Sequence, residues 1–276
     1  MYIHKTYTQI EQMAHEVSSV CKQHGITPSL TSDLSKMIKI CENASSIAKG
    51  NDDQLILDLC QAQRVVSAII ACKDELMLSE PLRRIASSVL EPASKEHSLG
   101  KDALFELEFL QYLKVKGYDV RLGEPDIIMN TPWGEWFIAC KTVNSFNNFE
   151  KQLSSGCQQV VSQGHGCVAI NYEPQSEFQE KLLLEGPEDA RHLIDEHLFI
   201  QTRPLKRHVN KRIRDGRLDG VIFSTSCYVK FESNNSDLDV YTAVMYSSDT
   251  DNQAIGAVER FNYVSHKFDN IVNRGF

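Results

Sequence analysis

The chain lacks most of the patterns that identify common functional classes. No stretch approaches the roughly 18 to 20 consecutive apolar residues of a membrane-spanning helix. Neither GxGxxG nor GxxxxGK(S/T) occurs, so neither a dinucleotide site nor a P-loop is indicated. The eight cysteines include no CxxC pair, and the nine histidines are scattered without metal-ligand spacing, which argues against a zinc site. The cysteines are therefore predicted to be reduced and mostly buried.

The composition is that of an ordinary soluble globular protein. With 276 residues, 42% of them hydrophobic and 24% charged, the chain is long enough for one large domain or two modest ones. Residues 1–5 lack the apolar h-region of a signal peptide, and a cytoplasmic location is the default expectation. The formal net charge of -8 argues against a surface that attracts nucleic acid uniformly, so any such binding must be local.

One dense basic stretch, residues 203–217, stands out against this acidic background. If it lines a groove, its side chains could neutralise several phosphates of a nucleic acid. The alternative is a solvated helix face without a ligand. The candidate nucleic-acid-binding residues are Lys206, Arg207, Lys211, Arg212 and Arg214.

The N-terminal third of the chain reads as entirely helical. Helix-forming residues with few β-branched runs, interrupted near residues 24–25, 28–29 and 50–51, predict three helices before residue 78. The third, at about 52–77, carries an apolar face that must pack on the other helices, on the rest of the chain or on a second subunit. A connector rich in proline and charge then predicts a boundary near residue 95, which separates a helical region, 1–95, from a second domain, 96–276.

The second domain alternates helices and strands in the manner of an α/β fold with a mixed sheet. The order of its first elements is helix, three strands, helix, strand, and the second and third strands form a hairpin. A helical insertion at about 178–200 precedes the basic helix. The predicted elements are helices at 101–116 and 148–163, and strands at 118–122, 126–130, 136–143, 167–172, 220–224 and 241–246.

Candidate chemistry lies on the hairpin. Asp126 and Lys141 are on its two arms, so their side chains can meet across the sheet. Residues two apart on a strand share a face, which places Ala139 beside Lys141 and turns the Cys140 side chain away. The main-chain carbonyl of Cys140 is still available as a metal ligand. A carboxylate, a carbonyl and a lysine are groups that can hold Mg²⁺ and orient a water molecule for phosphodiester hydrolysis.

Glu106 is the third candidate, because it interrupts the apolar stripe of the preceding helix. A carboxylate that faces a core is unfavourable without a partner. Glu108 lies roughly 200° further round the same helix, so only one of the two should face the site. Glu106 is the expected one, and a partly exposed glutamate at the edge of the stripe is the alternative.

In this order and spacing, the segment from about residue 100 to 172 resembles the PD-(D/E)xK, or restriction-endonuclease-like, nuclease superfamily. Phe105-Glu106 resembles its helix element, Pro125-Asp126 its PD, and Ala139-Cys140-Lys141 a degenerate (D/E)xK. The resemblance implies that Asp126 binds the metal, that Lys141 orients the attacking water and that Glu106 is a ligand directly or through water. It further implies an accessory polar residue on the next helix, for which Gln159, Gln152 and Glu150 are candidates, an exposed helix flank being the alternative for the two glutamines.

The sequence departs from the family pattern at Ala139, because alanine offers no oxygen to a metal. Three explanations stay open. The missing carboxylate has moved to Glu124, Glu135 or Glu150; or Asp126, the Cys140 carbonyl and Glu106 suffice together with substrate phosphate; or catalysis has been lost and the fold is a binding module.

The resemblance leads to the expectation of a DNA-hydrolysing nuclease that uses Mg²⁺ or Mn²⁺, in restriction or defence against foreign DNA. RNA is an alternative substrate, and dimerisation through the N-terminal helices is a further expectation. The contrasting expectation is a catalytically inactive nuclease-fold subunit that binds nucleic acid or acts as a scaffold for a partner enzyme.

Overall fold

The structure, a computed structural model of the single chain, is described for residues 5–50, 52–91, 96–178, 181–232 and 238–269. It is a mixed α/β fold, as the sequence predicts, with a seven-stranded mixed sheet. The helices are α1 (Tyr7–Gln23), α2 (Asp33–Glu42), α3 (Ala44–Ala48), α4 (Asp53–Ala71), α5 (Ser79–Ser87), α6 (Leu99–Val115), α7 (Phe149–Gln163), α8 (Pro187–Ala190), α9 (Glu196–Thr202), α10 (Lys206–Arg214) and α11 (Ala257–Asp269).

The sheet joins the predicted hairpin to a parallel centre. Its strands are β1 (Val120–Leu122), β2 (Ile127–Thr131), β3 (Gly134–Thr142), β4 (Gly166–Asn171), β5 (Leu182–Leu184), β6 (Gly220–Phe231) and β7 (Asp239–Ser247). They lie in the order β1-β2-β3-β4-β6, and β6 also pairs with β5 and β7. The pairs β1·β2, β2·β3 and β6·β7 are antiparallel, whereas β3·β4, β4·β6 and β5·β6 are parallel.

Helices cover both faces of the sheet, because the strands alternate their apolar side chains between two cores. Ile138 and Cys140 of β3 join the core that contains α6 and the N-terminal helices. Ala139 lies in the opposite core, with residues of α7, α9 and α10. The alternation of side chains along β3 therefore agrees with the sequence prediction that Ala139 and Cys140 face opposite sides of the sheet. The Cys140 thiol is packed inside the protein.

The N-terminal helices share their core with the rest of the chain. Four helices, α1 to α4, occupy the segment for which three are predicted, because Asn43 ends α2 and begins α3. The apolar face of α4 packs against α1, α2 and α6. Its partners in the chain are therefore both the other N-terminal helices and a helix of the second predicted domain. The predicted boundary at residue 95 falls in 92–95, outside the described residues.

Helix α4 is also the one helix, within the described ranges, that is long and apolar enough to cross a membrane by length and composition. Its buried residues, from Leu59 to Ile69, lie in the common core. A core helix of a soluble protein passes the same test, and the packing of α4 is consistent with that class. Every cysteine is buried except Cys60, which is half-buried.

The sequence misses α11, and it misses β5, which lies within the segment 178–200 that is predicted to be helical. Helix α6 begins two residues before its predicted start at 101, because the Ser98 hydroxyl accepts from the backbone N–H groups of Gly100 and Lys101. Gly117, with φ of 78°, follows the end of α6 in a conformation that favours glycine.

Candidate active site

Asp126 is fixed at the open end of the hairpin. It directly precedes β2, and the first β2 residue, Ile127, pairs with Ile138 of β3. One Asp126 carboxylate oxygen, Oδ2, accepts a hydrogen bond of 2.7 Å from the backbone N–H of Cys140. Its side chain is 12% exposed, so the carboxylate lies at the margin of the core where a small molecule or ion can reach it.

Lys141 reaches the same carboxylate from the α7 face of the sheet. Its Nζ atom lies 3.8 Å from Asp126 Oδ2, and its side chain is 15% exposed. The aliphatic stem passes close to Gly156 of α7, where a Cβ atom would lie 3.3 Å from Lys141 Cγ and 3.0 Å from both methyls of Val168. Glycine at 156 therefore lets α7 approach the sheet closely enough to enclose the lysine stem.

Glu106 approaches from the other face, on α6, and is buried with 5% of its surface exposed. Its partner is Arg84 of α5: Nη1 donates to Oε1 at 3.1 Å and Nη2 donates to Oε2 at 2.8 Å. Glu108 turns away, as predicted, and binds Arg64 elsewhere. The structure thus brings Glu106, Asp126 and Lys141 together from three separate elements.

Burial perturbs both carboxylates, and Glu106 is also perturbed by the charge of Asp126. Burial raises the pKa of Glu106 to about 7, and the charge of Asp126 adds to the rise, while the hydrogen bonds and charge of Arg84 oppose it. Burial likewise raises the pKa of Asp126 to about 6, against the lowering effects of Lys141 and the Cys140 N–H. Such a pair, near neutral pH, can exchange a proton or take up a cation.

These shifts predict a pH dependence of folding. Because both pKa values are higher in the folded than in the unfolded state, the folded protein binds more protons between pH 4 and 7. The stability that the pair contributes is present at acid pH and is lost as the pH rises through about 7. Relative to wild type, the double variant Glu106→Gln/Asp126→Asn should gain on the order of 5 kcal/mol between pH 4.5 and 7.5.

Urea unfolding at several pH values in that range measures this difference. Glu135→Gln, a change at the exposed hairpin turn, is the control and should parallel wild type. A constant difference between the double variant and wild type across the range would contradict the prediction.

Apolar packing occupies the position of the missing carboxylate. Ala139 is fully buried in the core between the sheet and α7. Three glutamates are predicted as possible replacements for that carboxylate. One of them, Glu135, lies at the turn end of the hairpin and pairs with Arg121 at 2.5 Å, away from Asp126. Glu124 is exposed, and its charge contributes to the raised pKa of Asp126, so it is the one the structure brings to the site.

The three accessory candidates lie on α7. Glu150 is exposed, with Oε1 at 3.5 Å from Nδ1 of His208 on α10, and it is not drawn toward Asp126. Gln159 is half-buried, and its Oε1 is buried without a hydrogen-bond partner among the described residues. Gln152, the third candidate on this helix, is also half-buried.

The basic helix is α10, and it packs on α7 through Val209 and Ile213. Lys141 extends toward α7 as well, so the basic helix and the lysine lie on the same side of the sheet. Four of its five predicted contact residues are exposed, namely Lys206, Arg207, Lys211 and Arg214. Two of the five have intramolecular partners: Arg212 donates to Ser154 Oγ at 3.4 Å, and Arg214 donates to Asp249 Oδ2 at 2.8 Å.

Sequence reasoning misses Arg84, the counter-ion of Glu106. The sequence near Arg84 offers one indication that this arginine forms an ion pair. Glu80 lies four residues earlier on α5, and its carboxylate pairs with Arg84 Nη2 at 2.7 Å. A second buried cluster, missed for the same reason, has Arg64 of α4 between Glu108 and Glu173. It borders a cavity of about 130 Å³ between α4, α6 and the sheet.

Within the described part of the chain, no three histidine, cysteine, aspartate or glutamate side chains group closely enough to hold a metal ion. Two carboxylates and the Cys140 main chain are the available donors at the site. No family model matches the chain, and no curated protein matches it.

Proposed function

We propose that the protein is a metal-dependent nuclease that hydrolyses DNA phosphodiester bonds, with Asp126, Lys141 and Glu106 as its site. The observation that carries the proposal is the convergence of these three side chains from α6, the start of β2 and β3. Each type has a role in phosphodiester hydrolysis, and the order along the chain resembles that of the PD-(D/E)xK nucleases.

The donors fit a single Mg²⁺ or Mn²⁺ ion, which keeps several waters and needs only one or two protein carboxylates. The charge of Asp126 raises the pKa of Glu106, and a cation between the two acids would relieve that repulsion. Asp126, the Cys140 carbonyl and Glu106 would hold the ion, with Glu124 as a further oxygen donor at the rim. When bound, the ion would polarise a phosphoryl oxygen and lower the pKa of a bound water.

The chain's own groups supply positioning and charge. The Cys140 N–H and Lys141 hold Asp126 in one orientation. The Lys141 ammonium lies beside Asp126, while its aliphatic stem is enclosed next to Gly156. The ammonium is thereby placed to orient a water molecule or to stabilise negative charge that develops on phosphate. Burial of Glu106 on the opposite face strengthens each of these interactions, because the local dielectric is low.

The exposed cations of α10 lie on the face from which Lys141 extends, and they are proposed to contact the DNA backbone. Neutralising Lys206, Arg207, Lys211 and Arg212 to glutamine should weaken binding to a 30-bp duplex. Every phosphate that is no longer neutralised reduces the slope of log K against log salt by about 0.9, so the total reduction should be roughly 2 to 4.

Fluorescence anisotropy at several salt concentrations, without divalent metal, measures that slope. The matched control makes the same charge change on exposed lysines of the helical region: Lys22, Lys36, Lys39 and Lys49. An unchanged slope in the α10 variant, or an equal effect in both variants, would remove α10 from the interface.

A second function, a nucleic-acid-binding or scaffolding subunit without catalysis, is favoured by two observations. Arg84 already occupies both oxygens of Glu106, and Ala139 is sealed in an apolar core. Plasmid and linear DNA incubated with and without Mg²⁺ or Mn²⁺ distinguishes the two functions. Metal-dependent cleavage supports the nuclease, whereas DNA binding without cleavage of DNA or RNA supports the subunit.

A cytoplasmic location, a role in restriction or defence, and dimerisation through the N-terminal helices belong to the same proposal. They rest on the resemblance and the composition alone. Sedimentation velocity of the full chain tests the dimer.

A further inference from the structure

We infer that Arg84 is a gate on the candidate site, which holds Glu106 closed against metal and opens by releasing Glu106 while it keeps its contact with Glu80. The inference rests on the proposed metal-dependent function and concerns its regulation. It assigns the helical region, through α5, a direct role at a site whose other members belong to α6, β2 and β3.

The closed position is defined by a paired interaction. The Arg84 guanidinium contacts Glu106 Oε1 through Nη1 and Oε2 through Nη2, so both carboxylate oxygens already have a cationic partner. A divalent ion that uses Glu106 must compete with this paired contact. Arginine favours planar, bidentate binding of carboxylates, so the competition is a strong one.

The charge of the closed site also disfavours a cation. Glu106 and Asp126 contribute two negative charges, and Arg84 and Lys141 contribute two positive charges. These four enclosed groups sum to neutral when all are ionised, and the charge of Glu80, which also contacts Arg84, is screened by solvent because its side chain is exposed. Mg²⁺ sites, by contrast, attract the ion through uncompensated carboxylates. Withdrawal of Arg84 alone would leave a net negative charge beside Asp126.

The open position is defined by Glu80, one helical turn before Arg84 on α5, which already shares the guanidinium in the closed position. Its Oε2 lies 2.7 Å from Arg84 Nη2, the same atom that donates to Glu106. Because the Glu80 side chain is 64% exposed and that of Glu106 is 7% exposed, a guanidinium that releases Glu106 and keeps Glu80 would lie nearer to solvent. Arg84 Nε is buried without a hydrogen-bond partner among the described residues, which weakens the closed position relative to a solvated one.

Mn²⁺ binding, measured by electron paramagnetic resonance titration of the full chain at pH 7, tests the gate without reference to cleavage. Arg84→Gln removes the competing cation and should bind Mn²⁺ roughly tenfold more tightly than wild type, or better. Glu80→Gln removes the open position and should bind it roughly threefold more weakly. Arg83→Gln, at the exposed neighbouring position, should stay within about twofold of wild type.

The double variant Arg84→Gln/Glu106→Gln should lose the gain, which shows that the extra affinity comes from Glu106. Weaker or unchanged Mn²⁺ binding in Arg84→Gln overturns the gate, and weaker binding would instead make Arg84 a positioning residue for Glu106. Glu80→Gln tests the inference independently if circular dichroism shows that Arg84→Gln is misfolded; wild-type affinity in Glu80→Gln also overturns it. Arg84→Gln that binds Mn²⁺ tightly yet never cleaves DNA would uphold the gate and contradict the nuclease.

Discussion

Asp126→Asn is expected to lower metal-dependent DNA cleavage by roughly a thousandfold or more, because it removes the charge of the best-placed metal ligand. The asparagine carbonyl can still accept the Cys140 N–H, so the hairpin end should keep its geometry. Single-turnover cleavage of a supercoiled plasmid with Mg²⁺ and with Mn²⁺ measures the effect. Unfolding by urea should show a folded variant, which separates lost chemistry from lost structure.

Lys141→Ala should lower the same rate by roughly a hundredfold or more, since one charge-stabilising donor contributes about that much. Glu124→Gln then tests whether this glutamate replaces the carboxylate missing at 139; a loss of roughly tenfold or more would assign it that role. Glu135→Gln, at the far end of the hairpin, is the matched control and should retain wild-type activity. Cleavage that survives both Asp126→Asn and Lys141→Ala would refute the site.

Arg64→Met is expected to reduce the free energy of unfolding by about 3–5 kcal/mol, the usual effect of leaving buried carboxylates without their partner. Arg64 is 13% exposed and binds Glu108 through Nε and Nη2, at 2.5 and 2.8 Å. Its Nη1 and Nη2 atoms each lie 2.7 Å from Glu173. This contact ties α4 to α6 and to the segment that follows β4, so removing it should destabilise the shared core.

The loss of unfolding free energy caused by Arg64→Met should become smaller as the pH falls from 7 toward 5. Burial raises the pKa of Glu108, while the charge and hydrogen bonds of Arg64 lower it, so removing the arginine raises that pKa further and makes protonation easier. The triple variant Arg64→Met/Glu108→Gln/Glu173→Gln should recover most of the stability, because no buried charge is left unpaired. Arg83→Met is the exposed control; urea unfolding in which Arg64→Met loses less than about 1 kcal/mol would contradict this account.

The candidate site was predictable where it depends on local order. The spacing of Asp126 and Lys141 on a hairpin, and the parity that buries the Cys140 thiol, follow from the two-residue repeat of a strand. Glu106 was predictable because a carboxylate within an apolar helical stripe requires a partner. The identity of that partner was not, since 22 residues and a connector separate Arg84 from Glu106 along the chain.

Helix and strand type follow from local periodicity, so the mixed α/β class was accessible from sequence, whereas α11 and the extra break at Asn43 were not recognised. The same limit applies to function. Sequence order determined which residues are chemically suited to one site, because residue type and spacing along a strand or helix are local properties. Only the tertiary structure decided that Arg84 closes on Glu106, that Ala139 is buried by apolar packing and that Glu106 of α6 lies close enough to Asp126 for the Asp126 charge to raise its pKa. Each of these depends on how α5, α6, α7 and the hairpin approach one another, and local propensity does not encode that approach.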